Sequence, residues 1–259
     1  MVNKMFLCLD IGNTNMVIGV FNEDGTSVSD FRLSTKRNLT TDEQAMGLIE
    51  LLHFKGIKEE DISGVIISSV VPEIDGELKD LFKKYFGVDA LFVGPGIKSG
   101  VNIKIDNPKQ LGADLLVGAV GAIEKYKEPV LVIDCGTAMT ITFVNKQKEF
   151  IGGAIMPGIR TAFSNLIDKA SKLEEVSFED VEGPIGSSTK DCIQSGMIFG
   201  WSSMIDGMID KYHKILGDFK VVLTGGDARY LVKHLEHEIV YDDNLLLDGL
   251  KILYFKNKK

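Results

Sequence analysis

The sequence predicts an α/β protein built from two similar halves, each with a mixed β-sheet flanked by helices. Two observations favour this fold class. Apolar runs of strand length alternate with amphipathic segments of helix length along the 259 residues, as expected for layered sheets and helices. An apolar run that ends in Asp-x-Gly also occurs twice, as FLCLDIGNT at 6–14 and VLVIDCGT at 130–137. We therefore expect an N-terminal lobe over 1–115 and a C-terminal lobe over 116–259.

The first half begins as a predicted three-stranded meander. Its first strand, at 6–9, is continuously apolar, which is typical of a strand buried on both faces. Thr40 and Glu43 have the spacing of a capping box, so a helix is expected to start there and to end at Gly56. The predicted elements are strands at about 6–9, 16–21, 27–33, 65–67 and 91–93, and helices at about 40–55 and 74–85.

A glycine-rich helix is predicted next, with Asn107 as its cap, Pro108 in its first turn and an end near Tyr126. A glycine inside a helix costs about 1 kcal/mol relative to alanine. The accumulation of glycines in this helix therefore indicates close packing, either on a ligand or on another helix. The glycines concerned are Gly112, Gly118 and Gly121.

The second half repeats this plan. Ser187 or Ser188 is expected to cap a long helix that Gly217 ends. A strand then enters the glycine turn at 224–227, much as the strand at 65–67 enters its own turn. The predicted elements are strands at about 129–134, 138–144, 148–154 and 221–224, and helices at about 159–168, 187–216 and 244–255.

Composition excludes several classes of protein. The formal net charge of −8 argues against nucleic-acid binding, which usually requires a basic surface. No apolar stretch approaches the roughly 20 residues of a membrane helix. Cys8, Cys135 and Cys192 have neither disulfide nor zinc spacing, and the first two are expected to be buried.

The two acid-glycine hairpins are candidate phosphate sites. Asp10 and Asp134 could be ordinary turn residues, but their repetition after buried strands favours a functional role, since a buried acid needs a partner or a cation. Acids beside hydrogen-bond donors suit a triphosphate with a bound cation. The candidate donors are the backbone around Gly12 and the side chains of Asn13, Thr14 and Thr137.

Two glycine turns form a second class of candidate site. The segments TGGD at 224–227 and GGAIMPG at 152–158 each contain more glycine than a turn requires. They are either plain loops or flat backbone surfaces on which an adenosine can lie.

Asp114 is the most informative isolated acid. It lies in an apolar, glycine-rich helical context, so it is either a solvent-facing helix acid or a carboxylate that acts as general base toward a hydroxyl. Thr189, which follows two serines at the head of the long helix, either binds a ligand or caps the helix.

Five motifs together resemble those of the type III pantothenate kinases: DIGNT (10–14), LGAD (111–114), DCGTA (134–138), GGAIMPG (152–158) and TGGDA (224–228). This family belongs to the acetate and sugar kinase, Hsp70 and actin superfamily. The resemblance covers nearly the whole chain. The hairpin motifs mark the superfamily, whereas LGAD, GGAIMPG and STKDCIQSG (188–196) mark the family more specifically.

The resemblance implies a duplicated ribonuclease H-like or actin-like fold, with a mixed five-stranded sheet in each lobe. It implies ATP-dependent phosphorylation of the primary hydroxyl of pantothenate, the first step of coenzyme A biosynthesis. The implied ligands are pantothenate, ATP, Mg²⁺ and a monovalent cation, K⁺ or NH₄⁺. The family is homodimeric and cytoplasmic, and neither nucleic acid nor membrane is an implied partner.

The resemblance also implies residue roles. Asp114 matches the proton acceptor, Asp134 the ligand of the monovalent cation, and Asp10 a carboxylate near Mg²⁺ that acts through water. The implied ATP contacts are Asp10, Ile11, Gly12, Asn13, Thr14, Thr137, Gly225 and Gly226. The implied substrate contacts are Gly112, Ala113, Asp114, Leu115 and Thr189.

Three positions depart from the family pattern. Leu115 stands where the family usually has arginine, Ile105 where tyrosine is frequent, and Gly118 where asparagine is common. A guanidinium lost beside the base removes a charge-assisted contact worth about 1.5–3 kcal/mol. A catalytically weakened relative that binds nucleotide or regulates is therefore an alternative, and a sugar kinase or chaperone-like ATPase is a further one.

Overall fold

The computed structural model describes residues 4–170, 173, 176–177 and 181–258. The chain forms two compact units. The first comprises Met1–Val101, Asp106–Gly121 and Leu245–Lys259, and the second comprises Asn102–Ile105 and Ala122–Asn244. The strands are β1 Met5–Ile11, β2 Asn15–Asn22, β3 Ser27–Ser34, β4 Ile62–Ser69, β5 Leu91–Phe92, β6 Asn102–Ile103, β7 Val130–Cys135, β8 Ala138–Val144, β9 Glu149–Pro157, β10 Lys220–Thr224 and β11 Val240–Tyr241. The α-helices are α1 Thr41–Phe54, α2 Asp75–Leu81, α3 Ala113–Tyr126, α4 Ile159–Lys169, α5 Thr189–Ser195, α6 Trp201–Leu216, α7 Ala228–Leu231 and α8 Leu245–Asn257.

The first unit is organised around a sheet of order β3-β2-β1-β4-β5. The meander β1-β2-β3 is antiparallel, whereas β4 and β5 add in parallel beside β1. Alternate residues of β1 point to opposite faces. Leu7 and Leu9 belong to a core that includes Leu48 of α1 and Leu78 of α2. On the other face, Phe6 stacks on Tyr254 of α8 with ring centroids 4.1 Å apart.

The second unit repeats this strand order as β9-β8-β7-β10-β11. Again the first three strands are antiparallel, and the next two are parallel to the first strand of the repeat. The predicted duplication is therefore confirmed. The sheet has six strands rather than the expected five, because β6 pairs in parallel with β9 at its edge. A strand of two residues is too short to leave a periodic pattern in the sequence.

The C-terminal helix belongs to the first unit, although the sequence predicts a single division between 115 and 116. Helix α8 packs on β1, β2 and β4. It also lies close to the N-terminal part of α3, since a Cβ at Gly121 would be 2.6 Å from the Leu245 carbonyl oxygen. A Cβ at Gly249 would likewise overlap the carbonyl oxygen of Val117. Gly121 therefore serves helix–helix packing, one of the two expected reasons for glycine in this helix.

The start of the glycine-rich helix differs from the prediction. Pro108–Gln110 forms a separate 3-10 turn, in which the Asn107 side chain makes no capping hydrogen bond. Helix α3 begins only at Ala113, so Gly112 lies before the helix and not inside it. Proline at the start of the short turn is as expected, but the chain is extended again at Leu111.

Other predicted helix ends are confirmed. Thr40 and Glu43 form the capping box of α1, with the Thr40 N–H donating to Glu43 Oε2 at 2.8 Å. Ser188 caps α5, and a π-helical turn at Gly196–Gly200 joins α5 to α6. Cys8 and Cys135 are buried, as expected, and Cys192 is exposed. Among the described residues, no helix has the length and apolar character needed to cross a membrane.

Candidate active site

In the first unit, the turn between β1 and β2 presents polar groups at the end of the sheet. The Gly12 N–H donates to the Asn15 carbonyl at 2.9 Å, which closes the turn. Asn13 and Thr14 at its tip are exposed. Exposed amide and hydroxyl groups beside a tight backbone turn are a suitable set of donors for phosphate oxygens.

The residues that support this turn carry no signal in the sequence. Thr35 donates its hydroxyl to the Gly12 carbonyl at 2.7 Å, and its N–H to the Thr14 carbonyl at 2.9 Å. Arg37 donates from Nη2 to Asn13 Oδ1 at 2.7 Å. This contact places a guanidinium beside the turn, where it adds positive charge for an anion. Neither residue belongs to a periodic or motif pattern.

Asp10 lies on β1 just before this turn and is half-buried. In the sheet it is opposite Val17 on β2 and Ser68 on β4. Ser68 is buried, and its hydroxyl has no hydrogen-bond partner among the described residues. The carboxylate of Asp10 and a buried hydroxyl therefore stand at the same level of adjacent strands.

Asp114 lies in the first turn of α3 and is half-buried. Its carboxylate Oδ1 accepts the N–H of Leu115 at 2.8 Å. Burial raises the pKa of Asp114 above the ordinary value for aspartate, and the hydrogen bond from Leu115 opposes this shift in part. Asp114 is therefore partly shielded from solvent, and its carboxyl group has an increased proton affinity, which suits a general base.

In the second unit, the turn between β7 and β8 repeats the first hairpin. The Gly136 N–H donates to the Ala138 carbonyl at 3.2 Å, and Thr137 is exposed. Asp134 is half-buried and lies opposite Thr140 on β8 and Thr224 on β10. The two hairpins therefore present an acid, a glycine and an exposed hydroxyl residue in the same order.

The glycine turn after β10 lies against this second hairpin. Gly225 has a φ of +94°, and a Cβ there would overlap the Asp134 carboxylate and lie 2.5 Å from the Cys135 nitrogen. The N–H of Asp227 donates to the Cys135 carbonyl at 3.1 Å. Gly225 is thus required both by its backbone conformation and by close approach, and Gly226 follows it in the same turn.

The start of α4 completes this arrangement. Two groups donate to the Thr137 carbonyl, the Gly158 N–H at 3.0 Å and the Thr161 hydroxyl at 2.7 Å. Arg160 donates from Nε to Asp227 Oδ1 at 2.8 Å, and so joins α4 to the turn after β10. Sequence reasoning missed Arg160, Thr161 and Asp227 as a group. Their only signal was that Asp227 lies within one glycine motif, and that Arg160 and Thr161 come two and three residues after another.

The other residues considered for substrate binding lie on different elements. Thr189 is the exposed first residue of α5, and capping is performed by Ser188, whose hydroxyl accepts the Asp191 N–H at 3.1 Å. Ala113 and Leu115 flank Asp114 and are half-buried. Ile105 is half-buried in the second unit.

Metal ligation by the protein alone is limited. Over the described ranges 4–170 and 181–258, no group of three or more His, Cys, Asp or Glu side chains is arranged to hold a metal ion. Carboxylates such as those of Asp10 and Asp134 are the ligand type of cations that take most of their ligands from a nucleotide and from water, as Mg²⁺ does.

A family model described as type III pantothenate kinase matches residues 6–211. The chain belongs to the type III pantothenate kinase family. A type III pantothenate kinase of Halalkalibacterium halodurans is 42% identical, over 98% of this chain and 100% of its own length. Another, of Exiguobacterium sibiricum, is 38% identical over the same shares of both chains.

A solved structure outside the type III pantothenate kinases supports the fold. The activator of the 2-hydroxyisocaproyl-CoA dehydratase from Clostridium difficile, with bound ADPNP, superposes with a TM-score of 0.55 and is 16% identical. The match covers 98% of this chain and 95% of that chain. Together with the repeated sheet order, it confirms the duplicated ribonuclease H-like or actin-like fold.

Proposed function

We propose that this chain uses ATP to phosphorylate the primary hydroxyl of pantothenate, and so produces 4'-phosphopantothenate and ADP for coenzyme A biosynthesis. The single observation that carries the chemistry is Asp114, a half-buried carboxylate of raised pKa at the start of α3. Membership of the type III pantothenate kinase family over nearly the full chain supports the choice of substrate.

Asp114 acts in this proposal as the general base. The pantothenate hydroxyl oxygen attacks the γ-phosphorus of ATP, its proton passes to the Asp114 carboxylate, and the bond to the β-phosphate oxygen breaks to release ADP. A raised pKa suits this role, because a stronger base accepts the proton more readily.

The first-unit turn supplies the proposed phosphate contacts. We assign the phosphate oxygens to Ile11, Gly12, Asn13 and Thr14, among which Asn13 and Thr14 present exposed side-chain donors, while Asp10 would hold Mg²⁺ through water. When bound, Mg²⁺ neutralises charge that develops on the phosphates. A single half-buried carboxylate at this position suits an ion that keeps several waters and takes other ligands from the nucleotide.

The second unit supplies proposed nucleotide contacts through Thr137, Gly225 and Gly226. We assign Asp134 to a monovalent cation, K⁺ or NH₄⁺. A Cβ at Gly136 would lie 3.7 Å from Asp134 Oδ1 and 3.4 Å from the Ala138 carbonyl oxygen. This supports the assignment, because carboxylate and carbonyl oxygens are ligands for such cations. The bound cation adds positive charge beside this hairpin.

Pantothenate selection is assigned to the segment around the base and to α5. The proposed contacts are Gly112, Ala113, Asp114, Leu115 and Thr189. Leu115 offers no charge, in contrast to the arginine that is usual in the family. Leu115→Arg therefore should lower the KM for pantothenate if the substrate carboxylate lies near this position, and should leave it unchanged if it does not.

We also propose that the protein is a homodimer and acts in the cytoplasm.

Measurement of 4'-phosphopantothenate tests the proposed function. The protein is incubated with ATP, pantothenate and Mg²⁺, and K⁺, NH₄⁺ or Na⁺ is varied at constant ionic strength. We expect product and ADP in equal amounts, with K⁺ or NH₄⁺ giving the faster rate. An absence of product under all cation conditions contradicts the proposal. If ATP also bound tightly under those conditions, a binding or regulatory role would be indicated instead.

A further inference from the structure

Gly112 lies two residues before Asp114, and its missing side chain leaves space for the carboxylate. A Cβ at this position would be 2.5 Å from Asp114 Oδ1 and 3.6 Å from Leu115 Cγ. The first distance is far shorter than van der Waals contact. An alanine at 112 therefore cannot coexist with the observed position of the Asp114 carboxylate.

The backbone of Gly112 does not itself require glycine. Its φ lies outside the left-handed region, in contrast to Gly225, whose φ is +94°. The φ at 112 therefore gives no reason for glycine. Gly112 also lies outside α3, where no helix-packing contact of the kind made by Gly121 applies. Of the three atoms nearest to a Cβ at 112, the carboxylate oxygen is the one that would lie closer than van der Waals contact.

The atom that a Cβ would displace is the one that fixes the carboxylate. Asp114 Oδ1 accepts the Leu115 N–H at 2.8 Å, and this bond anchors the side chain over the first turn of its own helix. A Cβ at 112 would push Oδ1 away and break that hydrogen bond. Because Oδ1 is the end of a rotatable side chain, rotation of the side chain relieves the overlap and the backbone is unaffected.

We propose that Gly112 is a positioning residue for Asp114. Because Gly112 has no side chain, the carboxylate has room to accept the Leu115 N–H, and this hydrogen bond keeps it in the orientation used for proton transfer. This inference rests on the proposed function, in which Asp114 is the base. It gives Gly112 a role different from substrate contact. Proton transfer depends steeply on geometry, and a displacement of about 1 Å can cost about 100-fold in rate.

Gly112→Ala tests this proposal through two readouts. In the first, the proton chemical shift of the Leu115 amide is followed against pH, since an amide bonded to a carboxylate reports its titration. Wild type should show a titration that is absent in Asp114→Asn, and Gly112→Ala should lose it. In the second, kcat should fall about 10- to 100-fold while the KM for ATP stays within about twofold.

Gly47→Ala is the matched control. Gly47 lies in α1, and a Cβ there meets no atom within 4 Å. This variant should keep both the Leu115 titration and the wild-type kcat. Thermal unfolding of both alanine variants shows whether each is folded. A Gly112→Ser variant, which carries the same Cβ, should show the same loss of the Leu115 titration and of kcat.

The two readouts separate the possible outcomes. Loss of the titration together with a lower kcat supports the positioning role. A retained titration, or a lost titration with unchanged kcat, overturns it. A raised KM for pantothenate with the titration intact indicates substrate contact instead. If wild type makes no 4'-phosphopantothenate, the proposed function fails, and so does the catalytic role of Gly112. The amide titration still shows separately whether Gly112 is needed for the hydrogen bond between Asp114 and the Leu115 N–H.

Discussion

The two hairpins carry the same motif, but the surrounding structure supports them differently. The first, at Gly12, is held from outside by hydrogen bonds from Thr35 and Arg37. The second, at Gly136, is held by the glycine turn at Gly225 and by the start of α4 at Gly158, where an added Cβ would overlap the Gly136 carbonyl oxygen.

This difference indicates that residues of the first hairpin mainly serve ligand binding, whereas the glycines of the second mainly serve packing. A turn supported by side chains keeps its own polar groups, such as Asn13 and Thr14, exposed for a ligand. A turn packed against two other backbones is held by close packing, although its Thr137 side chain is exposed as well. Substitutions in the first hairpin should therefore alter binding and catalysis, whereas glycine substitutions in the second should alter folding.

The largest contrast is expected from Gly225→Ala compared with Gly12→Ala. The first introduces a Cβ at positive φ that overlaps Asp134, and should destabilise the second unit by about 3 kcal/mol or more. The second places a Cβ 3.3 Å from the Asn15 carbonyl oxygen, and should cost about 1 kcal/mol or less. Denaturant unfolding of both variants measures the difference, and equal destabilisation would contradict the proposed difference between the hairpins.

The two hairpin acids provide the next contrast. Asp10→Asn should lower kcat by about 100- to 1,000-fold, as for loss of a group that stabilises transition-state charge. Asp134→Asn should mainly raise the concentration of K⁺ or NH₄⁺ needed for half-maximal rate. Steady-state kinetics across cation concentrations distinguish them. Identical cation dependence in the two variants would show that the acids do not have separate roles.

A smaller effect is expected from the ion pair that joins α4 to the turn after β10. Arg160→Gln or Asp227→Asn should raise the KM for ATP about 3- to 10-fold, because a partly exposed charge-assisted hydrogen bond contributes modestly. The KM for pantothenate and kcat should change little. The double variant serves as control: if the two effects simply add, the pair does not act as a unit.

The smallest effect concerns stability at Asp114. Its folded-state pKa is raised by burial, so the folded protein binds this proton more tightly than the unfolded chain does. The associated stability is present at low pH and is lost as pH rises through the folded pKa. Asp114→Asn should therefore melt about 2 °C higher than wild type near pH 7, and the difference should shrink on acidification. A lower melting temperature for the variant at pH 7 would contradict this account.

Much of the fold could be predicted because its signals are local. The capping box at Thr40, the paired hairpins and the repeated succession of strands and helices along the chain all follow from periodicity and from turn residues. The position of α8 could not be predicted, since its apolar face does not indicate which unit it covers. The two-residue strand β6 is likewise too short for any periodicity.

Some residues of the candidate site could likewise be predicted from the sequence, and others could not. Asp10, Asp134 and Asp114 stand out because acids next to apolar runs are unusual. Arg37 and Arg160 were missed, because their contacts link polar residues far apart in sequence. The role of Gly112 was also beyond sequence reasoning, which placed it inside a helix, whereas α3 begins at the next residue.

The most direct test of the central claim compares wild type with Asp114→Asn in the formation of 4'-phosphopantothenate, followed by ³¹P NMR at saturating ATP, Mg²⁺ and K⁺. We predict product from wild type and a rate at least about 100-fold lower for the variant, while calorimetry shows ATP affinity within about twofold. Equal rates would show that Asp114 is not the base, and no product from wild type would show that the chain is not a pantothenate kinase.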